Sequence, residues 1–188
     1  MSVVVAVKKK SEIAIACDSV YSMGSLKVSS KYKVNHHKLY QCDKSWIGLV
    51  GWGALDDVFE HVLESEKEHL DFGNRSGIFT TLLSLQKVFK EKYFVETNED
   101  DEQPVESNQM DGLVINKNGI FAFSSYRNVN EYDRFWAIGA GREYALGAMF
   151  ACYDRNMSAN KIAEQGVLAG CEFDDSCGKP VQCKTLKC

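Results

Sequence analysis

The sequence is poor in proline. Two are present, Pro104 and Pro180, where average usage would give about nine in a chain of this length. Little of the chain is therefore barred from helix or strand. It also lacks a long apolar run. Val3–Val7 spans five residues, and nothing approaches the roughly 20 that a membrane-spanning helix needs. That run is too short for the apolar part of an export signal, and Lys8-Lys9-Lys10 follows it rather than precedes it. A basic excess is missing too. The formal net charge is −4, the wrong sign for a protein that grips a phosphate backbone. These absences predict a cytoplasmic chain with neither a membrane nor nucleic acid as partner.

Close cysteine pairs are likewise missing. Seven cysteines is an odd number, and without an export signal they read as free thiols in a reducing compartment. Cys171, Cys177, Cys183 and Cys188 crowd the end of the chain, yet no Cys-x-x-Cys and no nearby histidine accompanies them, so they do not read as a zinc site. His36-His37 placed on a strand would point to opposite faces and could not share a metal. Gly139-Ala140-Gly141 precedes a helical pattern, but Tyr144 stands where a dinucleotide fingerprint needs its third glycine. No metal and no cofactor is expected.

What is present is ordinary globular material. The chain has 188 residues, 45% hydrophobic and 26% charged, enough to bury one core as a single domain over residues 1–188. Val3–Val7 and Ile13–Cys17 read as a hairpin whose faces are both covered. Asp18–Ser30 reads as an irregular loop. Lys33–Cys42 and Ser45–Val50 form a strand pair turning at Asp43-Lys44. Leu55, Val58, Phe59, Val62 and Leu63 make the apolar stripe of one helix. A second runs from about Gly77 to Tyr93, with Ser76 able to cap it. Glu99, Asp100, Asp101, Glu102, Pro104 and Glu106 mark an acidic solvent loop at about 97–108. Asn118-Gly119 turns a further hairpin. A strand at Phe135–Ile138, helices from Arg142 and from Ser158, and a last strand at 181–187 complete the order. Strands and helices come in blocks, which predicts an α+β architecture of two mostly antiparallel sheets, each with helices outside.

Ser2 supplies the first hint of chemistry. Removal of Met1 would place a hydroxyl and a free α-amine on one residue at the start of a buried strand. Such an amine titrates at roughly 7.7–8.0, which suits a base acting on its own hydroxyl.

The chain resembles the proteasome β-subunit family of N-terminal-nucleophile peptidases, above all its bacterial HslV-like branch and other bacterial proteasome homologues. Ser2-Val3-Val4-Val5-Ala6-Val7 is similar to the strand that begins with the family's nucleophile. Ile13-Ala14-Ile15-Ala16-Cys17-Asp18-Ser19 and Gly48-Leu49-Val50-Gly51-Trp52-Gly53 resemble two further motifs, and Lys33-Val34 resembles the Lys-Val that holds the catalytic lysine. Ala137-Ile138-Gly139-Ala140-Gly141-Arg142-Glu143-Tyr144-Ala145 resembles Gly-Ser-Gly-x-x-Tyr-Ala.

The resemblance implies a four-layer αββα sandwich. It also implies a self-compartmentalising endopeptidase that cuts unfolded polypeptides inside homo-oligomeric stacked rings, with an unfoldase ATPase ring as partner. Ser2 would be the nucleophile and Lys33 the cation beside it. Asp18 would hold the lysine, the Gly51 backbone N–H would receive the oxyanion, and Asp174, or its neighbour Asp175, would be the second acid near the amine. Ala140 replaces the family's serine, and Cys177 stands where a hydroxyl is usual. A catalytically silent ring scaffold and an amidohydrolase of a small amide are the alternative functions.

Overall fold

The computed structural model describes residues 2–98 and 102–188. β1 (Val3–Lys9) and β2 (Glu12–Cys17) form the expected hairpin. They are flanked by β10 (Phe135–Gly139) on one side and β11 (Gln182–Lys187) on the other, all antiparallel, in the order β10-β1-β2-β11. The second sheet runs β5 (Leu39–Cys42), β6 (Ser45–Gly51), β7 (Met110–Asn116), β8 (Gly119–Phe123) and β9 (Val129–Tyr132), again antiparallel throughout. A short ribbon of β3 (Tyr21–Met23) and β4 (Leu26–Val28) stands apart.

Alternation along β1 explains the layering, because successive side chains leave a strand on opposite faces. Val3, Val5 and Val7 pack with Ala145 and Met149 of α3 (Arg142–Tyr153) and with Ile162 and Val167 of α4 (Ala159–Phe173). Val4 and Ala6 point the other way, against Leu39, Leu113, Ile115 and Ile120 of the second sheet. That sheet's outer face is covered by α1 (Gly53–Ser65) and α2 (Arg75–Lys92) through Phe59, Val62, Ile78, Leu82 and Phe89. The product is the αββα sandwich, and it explains why β1 is apolar on both faces. At Gly48 the two sheets approach too closely for a side chain. A Cβ there would lie 2.5 Å from Val4 Cγ1.

Several local expectations change. Residues 18–30 are not all loop, since they contain the β3–β4 ribbon. The strand expected over Lys33–Cys42 is formed only from Leu39, and His36 and His37 precede it with their rings stacked at 5.2 Å. α2 is capped by Asn74, which accepts from the Gly77 N–H at 3.0 Å, and not by Ser76. β9 was not expected. The acidic segment is tied down at both ends. Ser107 N–H donates to Thr97 O at 2.9 Å and Asn108 N–H to Ser125 O at 2.9 Å, and Thr97, Ser107 and Asn108 are buried. Met1 and the centre of that segment, 99–101, lie outside the described residues. Among the described residues no helix is long and apolar enough to cross a membrane.

Candidate active site

Five chain segments meet where β1 begins. Ser2 precedes Val3 and is 8% exposed. Asp18 follows β2 and is completely buried. Its carboxylate accepts from the backbone N–H groups of Val3 through Oδ1 and of Val20 and Gly178 through Oδ2, each at 3.1 Å. Those bonds link β1, the ribbon and the loop after α4 to one side chain. Three backbone donors plus a cation satisfy a carboxylate that would otherwise be costly to bury.

The cation is Lys38. Its ammonium donates to Asp18 Oδ1 at 2.9 Å, to Ser2 Oγ at 2.9 Å and to Val20 O at 2.5 Å, and the residue is 3% exposed. A lysine ammonium has three protons, and all of them are used. Lys33, singled out by its Lys-Val dipeptide, is elsewhere. It is half-buried, with its ammonium 3.5 Å from the centre of the Tyr21 ring.

Strand register is the reason. The turn at Asp43-Lys44 pairs Leu39 with Gly48, and Leu49 N–H reaches Lys38 O at 3.4 Å. Counting outward, Lys38 falls opposite Leu49, near the end of β6 that carries Gly51. Lys33 would fall opposite Ala54, beyond the strand. The hairpin count was available in the sequence and selects Lys38, whereas the dipeptide match does not.

The other expected residues gather at this end of the sandwich. Gly51 ends β6 and lines the same narrow cleft as Ser2, with Val20, Tyr21, Ser22, Lys38, Leu49, Val50, Gly53 and Asp56. Its volume is about 50 Å³. Gly139, paired with Val3, has φ +90, and a Cβ there would lie 2.2 Å from Ser2 O. The turn carrying Ala140 is therefore seated against the Ser2 backbone.

Asp174 caps the end of α4, while Asp175 is exposed. Burial works against ionisation of Asp174, but hydrogen bonds from the Ser176 hydroxyl and N–H and from the Cys177 thiol outweigh it and hold the carboxyl below its usual range. Burial, with Asp18 and Asp174 nearby, pushes the Cys177 thiol up to about 12. It stays a protonated donor to Asp174. Asp174 joins the site through this loop, because the next residue, Gly178, is the one that donates to Asp18.

Tyr21 and Asp56 were not singled out from the sequence. The Tyr21 hydroxyl donates to Asp56 Oδ2 at 3.3 Å at the cleft. Burial raises the Asp56 carboxyl above the usual range, and the Tyr21 hydrogen bond and the Lys38 and Lys33 charges oppose the shift. No motif marks either residue. Their role depends on the ribbon and on the start of α1 coming together.

The αββα sandwich, with a hydroxyl, a lysine and an aspartate buried together at the head of its central strand, has the fold of the N-terminal-nucleophile hydrolases. The family model for the proteasome subunit matches residues 2–182, and the chain belongs to that family. Among solved structures it is similar to Thiobacillus denitrificans BPH, at 34% identity and a TM-score of 0.91, covering 98% of this chain and 97% of that one. The same protein in complex with epoxomicin matches at 33% identity, TM-score 0.91 and 98% of each chain. Eukaryotic HslV from Trypanosoma brucei matches at 18% identity and a TM-score of 0.73, covering 98% of this chain and 99% of that one, a likeness of fold. A search of curated proteins finds no match.

Proposed function

We propose that this chain is a working endopeptidase subunit with Ser2, freed of Met1, as its nucleophile. The observation that carries the reading is Lys38, buried and bonded at 2.9 Å to both Ser2 Oγ and Asp18. Ser2 Oγ attacks the peptide carbonyl. Its proton passes to the Ser2 α-amine, directly or through one water. The Lys38 ammonium donates to Oγ and so stabilises negative charge developing there. Its positive charge also lowers the pKa of the amine and keeps that base neutral. Asp18 holds Lys38 in place and charged. The Gly51 N–H, at the cleft, receives the oxyanion, and Asp174 is the second acid near the amine. Collapse of the tetrahedral intermediate breaks the C–N bond, the leaving amine takes the proton back from the Ser2 α-ammonium, and the acyl ester left on Ser2 is hydrolysed by a water that the regenerated α-amine deprotonates.

Membership of the proteasome subunit family and the likeness to HslV and BPH support assembly into stacked homo-oligomeric rings. The substrates are then unfolded polypeptides in a closed chamber, fed by an unfoldase ATPase ring, in the cytoplasm. BPH binds epoxomicin, and this chain is expected to bind it at the Ser2 cleft.

Ala140 favours one rival, a silent ring scaffold, because it removes a hydroxyl from the turn beside Ser2. Degradation of a reduced, unfolded protein by wild type, Ser2→Ala and Ala140→Ser separates the two. The peptidase reading expects wild-type degradation, none from Ser2→Ala, and an unchanged or up to roughly tenfold faster rate from Ala140→Ser, the worth of one added hydrogen bond. Inert wild type and inert Ala140→Ser, on protein and on small peptide amides, establish the scaffold.

A further inference from the structure

We infer that Asp56 makes the cleft beside Ser2 selective for a lysine or arginine side chain on the residue whose carbonyl is attacked. The inference rests on the peptidase reading above and extends it to substrate choice.

The charge inventory of the cleft carries the argument. Two charged side chains line it, Lys38 and Asp56. Lys38 has spent all three of its protons on Ser2, Asp18 and Val20, so it offers nothing to a ligand. Asp56 is half-buried in the first turn of α1; the Tyr21 hydroxyl donates to its Oδ2, and the Tyr40 hydroxyl, which also donates to His37 O, reaches the same carboxylate. Among the described residues no cation comes within 4 Å of it. Lys33, the other lysine nearby, is turned onto the Tyr21 ring. A partly desolvated carboxylate whose only partners among the described residues are neutral hydroxyls is a receptor for a cation.

The remaining lining favours a long, thin side chain with a charged tip. Leu49, Val50 and Val20 supply apolar wall, while Gly51 and Gly53 leave room for an approaching backbone. The volume of about 50 Å³ suits an unbranched methylene stem better than an aromatic ring. Position then fixes which substrate residue is read. The carbonyl attacked by Ser2 Oγ belongs to the residue N-terminal to the cut bond, whose side chain is the one nearest the nucleophile. Asp57 and Glu60 line the adjoining recess with Asp56 and Tyr21. They extend the negative surface outward but do not line the cleft itself.

The test uses peptide amides identical except for arginine, leucine or glutamate at that residue. Arginine should be preferred in kcat/KM over leucine by about 10–100-fold, the scale of one charge-assisted hydrogen bond, and glutamate should be poorest. Asp56→Asn should collapse the arginine-to-leucine ratio to near one, while Asp57→Asn should keep it. Equal rates for arginine and leucine, or an unchanged ratio in Asp56→Asn, overturn the inference and leave the peptidase reading standing. If wild type cuts none of the three, fluorescence anisotropy of the same peptides on assembled Ser2→Ala protein decides. Tighter binding of the arginine peptide, lost on adding Asp56→Asn, upholds the cation site while the peptidase reading falls. Equal binding of all three ends it.

Discussion

Exchanging Lys38 for alanine should abolish hydrolysis, whereas the same change at Lys33 should not. Lys38→Ala removes a buried ammonium and leaves Asp18 without its cation. Breaking a buried pair in this way costs about 3–5 kcal/mol. Asp18 keeps its three backbone donors from Val3, Val20 and Gly178, which places the cost at the low end, about 3 kcal/mol. In a chain of 188 residues that lowers Tm by roughly 6–12 °C, so the protein remains folded at assay temperature.

The rate loss is larger, because the Lys38–Ser2 Oγ bond strengthens as the oxygen loses its proton. Loss of one donor to developing negative charge costs roughly 10²–10³ in rate. Lys38→Met combined with Asp18→Asn separates stability from chemistry, since removing both charges should recover part of the lost Tm while activity stays absent. Lys33→Ala forfeits only a contact between an ammonium and the Tyr21 ring, about 0.5–1 kcal/mol at a half-exposed site. The assay is release of a fluorescent amine from a peptide amide, with a thermal melt on the same samples. A folded Lys38→Ala protein of near wild-type activity, or an inactive Lys33→Ala, refutes the register argument that exchanged one lysine for the other.

Gly139→Ala should cost both stability and rate. The new Cβ would need to occupy space 2.2 Å from Ser2 O at φ +90, and separation of β10 from β1 there should appear as a lower Tm together with kcat down by at least tenfold; wild-type values would mean that Ser2 is not positioned by this turn. The arginine preference should depend on pH. The Asp56 carboxyl titrates above its usual range because of burial, among Tyr21, Lys38, Lys33, Asp57, Tyr40 and Glu60. Selectivity should therefore be full at neutral pH and be lost as pH falls through the raised value, while Asp56→Asn shows a flat ratio. Light scattering at micromolar concentration should report a multi-subunit ring assembly, and a monomer would remove the chamber.

The block order of strands and helices was legible because β1 and β2 are apolar on both faces. That demands cover on two sides and so implies four layers. The helix expected from Arg142 is α3, which begins at that residue. Two features were not legible. The β3–β4 ribbon is three residues on each side with exposed tips at Met23 and Leu26, too short for its alternation to stand out as a period. It nevertheless carries Val20 and Tyr21 into the site.

The lysine was missed for a different reason. A dipeptide match at Lys33-Val34 took precedence over the pairing count from the Asp43-Lys44 turn, and only the count carries geometry. The inter-helix turn shows the same distinction between pattern and position. Leu70, Phe72, Ile78 and Phe79 lie in and around this turn and suggest by pattern an apolar contact between rings, but the first three are buried in the chain's own core and only Phe79 is exposed. Phe79 and Leu83 on α2, and Tyr144, Phe150 and Phe173 on the opposite helical layer, are the large apolar side chains left exposed on those helices.

The central claim is that Ser2 is both nucleophile and N-terminus, with its amine serving as the base. The intact mass of the active, native protein tests it most directly. The account predicts the mass of the chain from Ser2 to Cys188, with Met1 removed from every subunit that hydrolyses peptide amides. A mass that retains Met1 on fully active material contradicts it, because an acylated Ser2 nitrogen could not accept the hydroxyl proton.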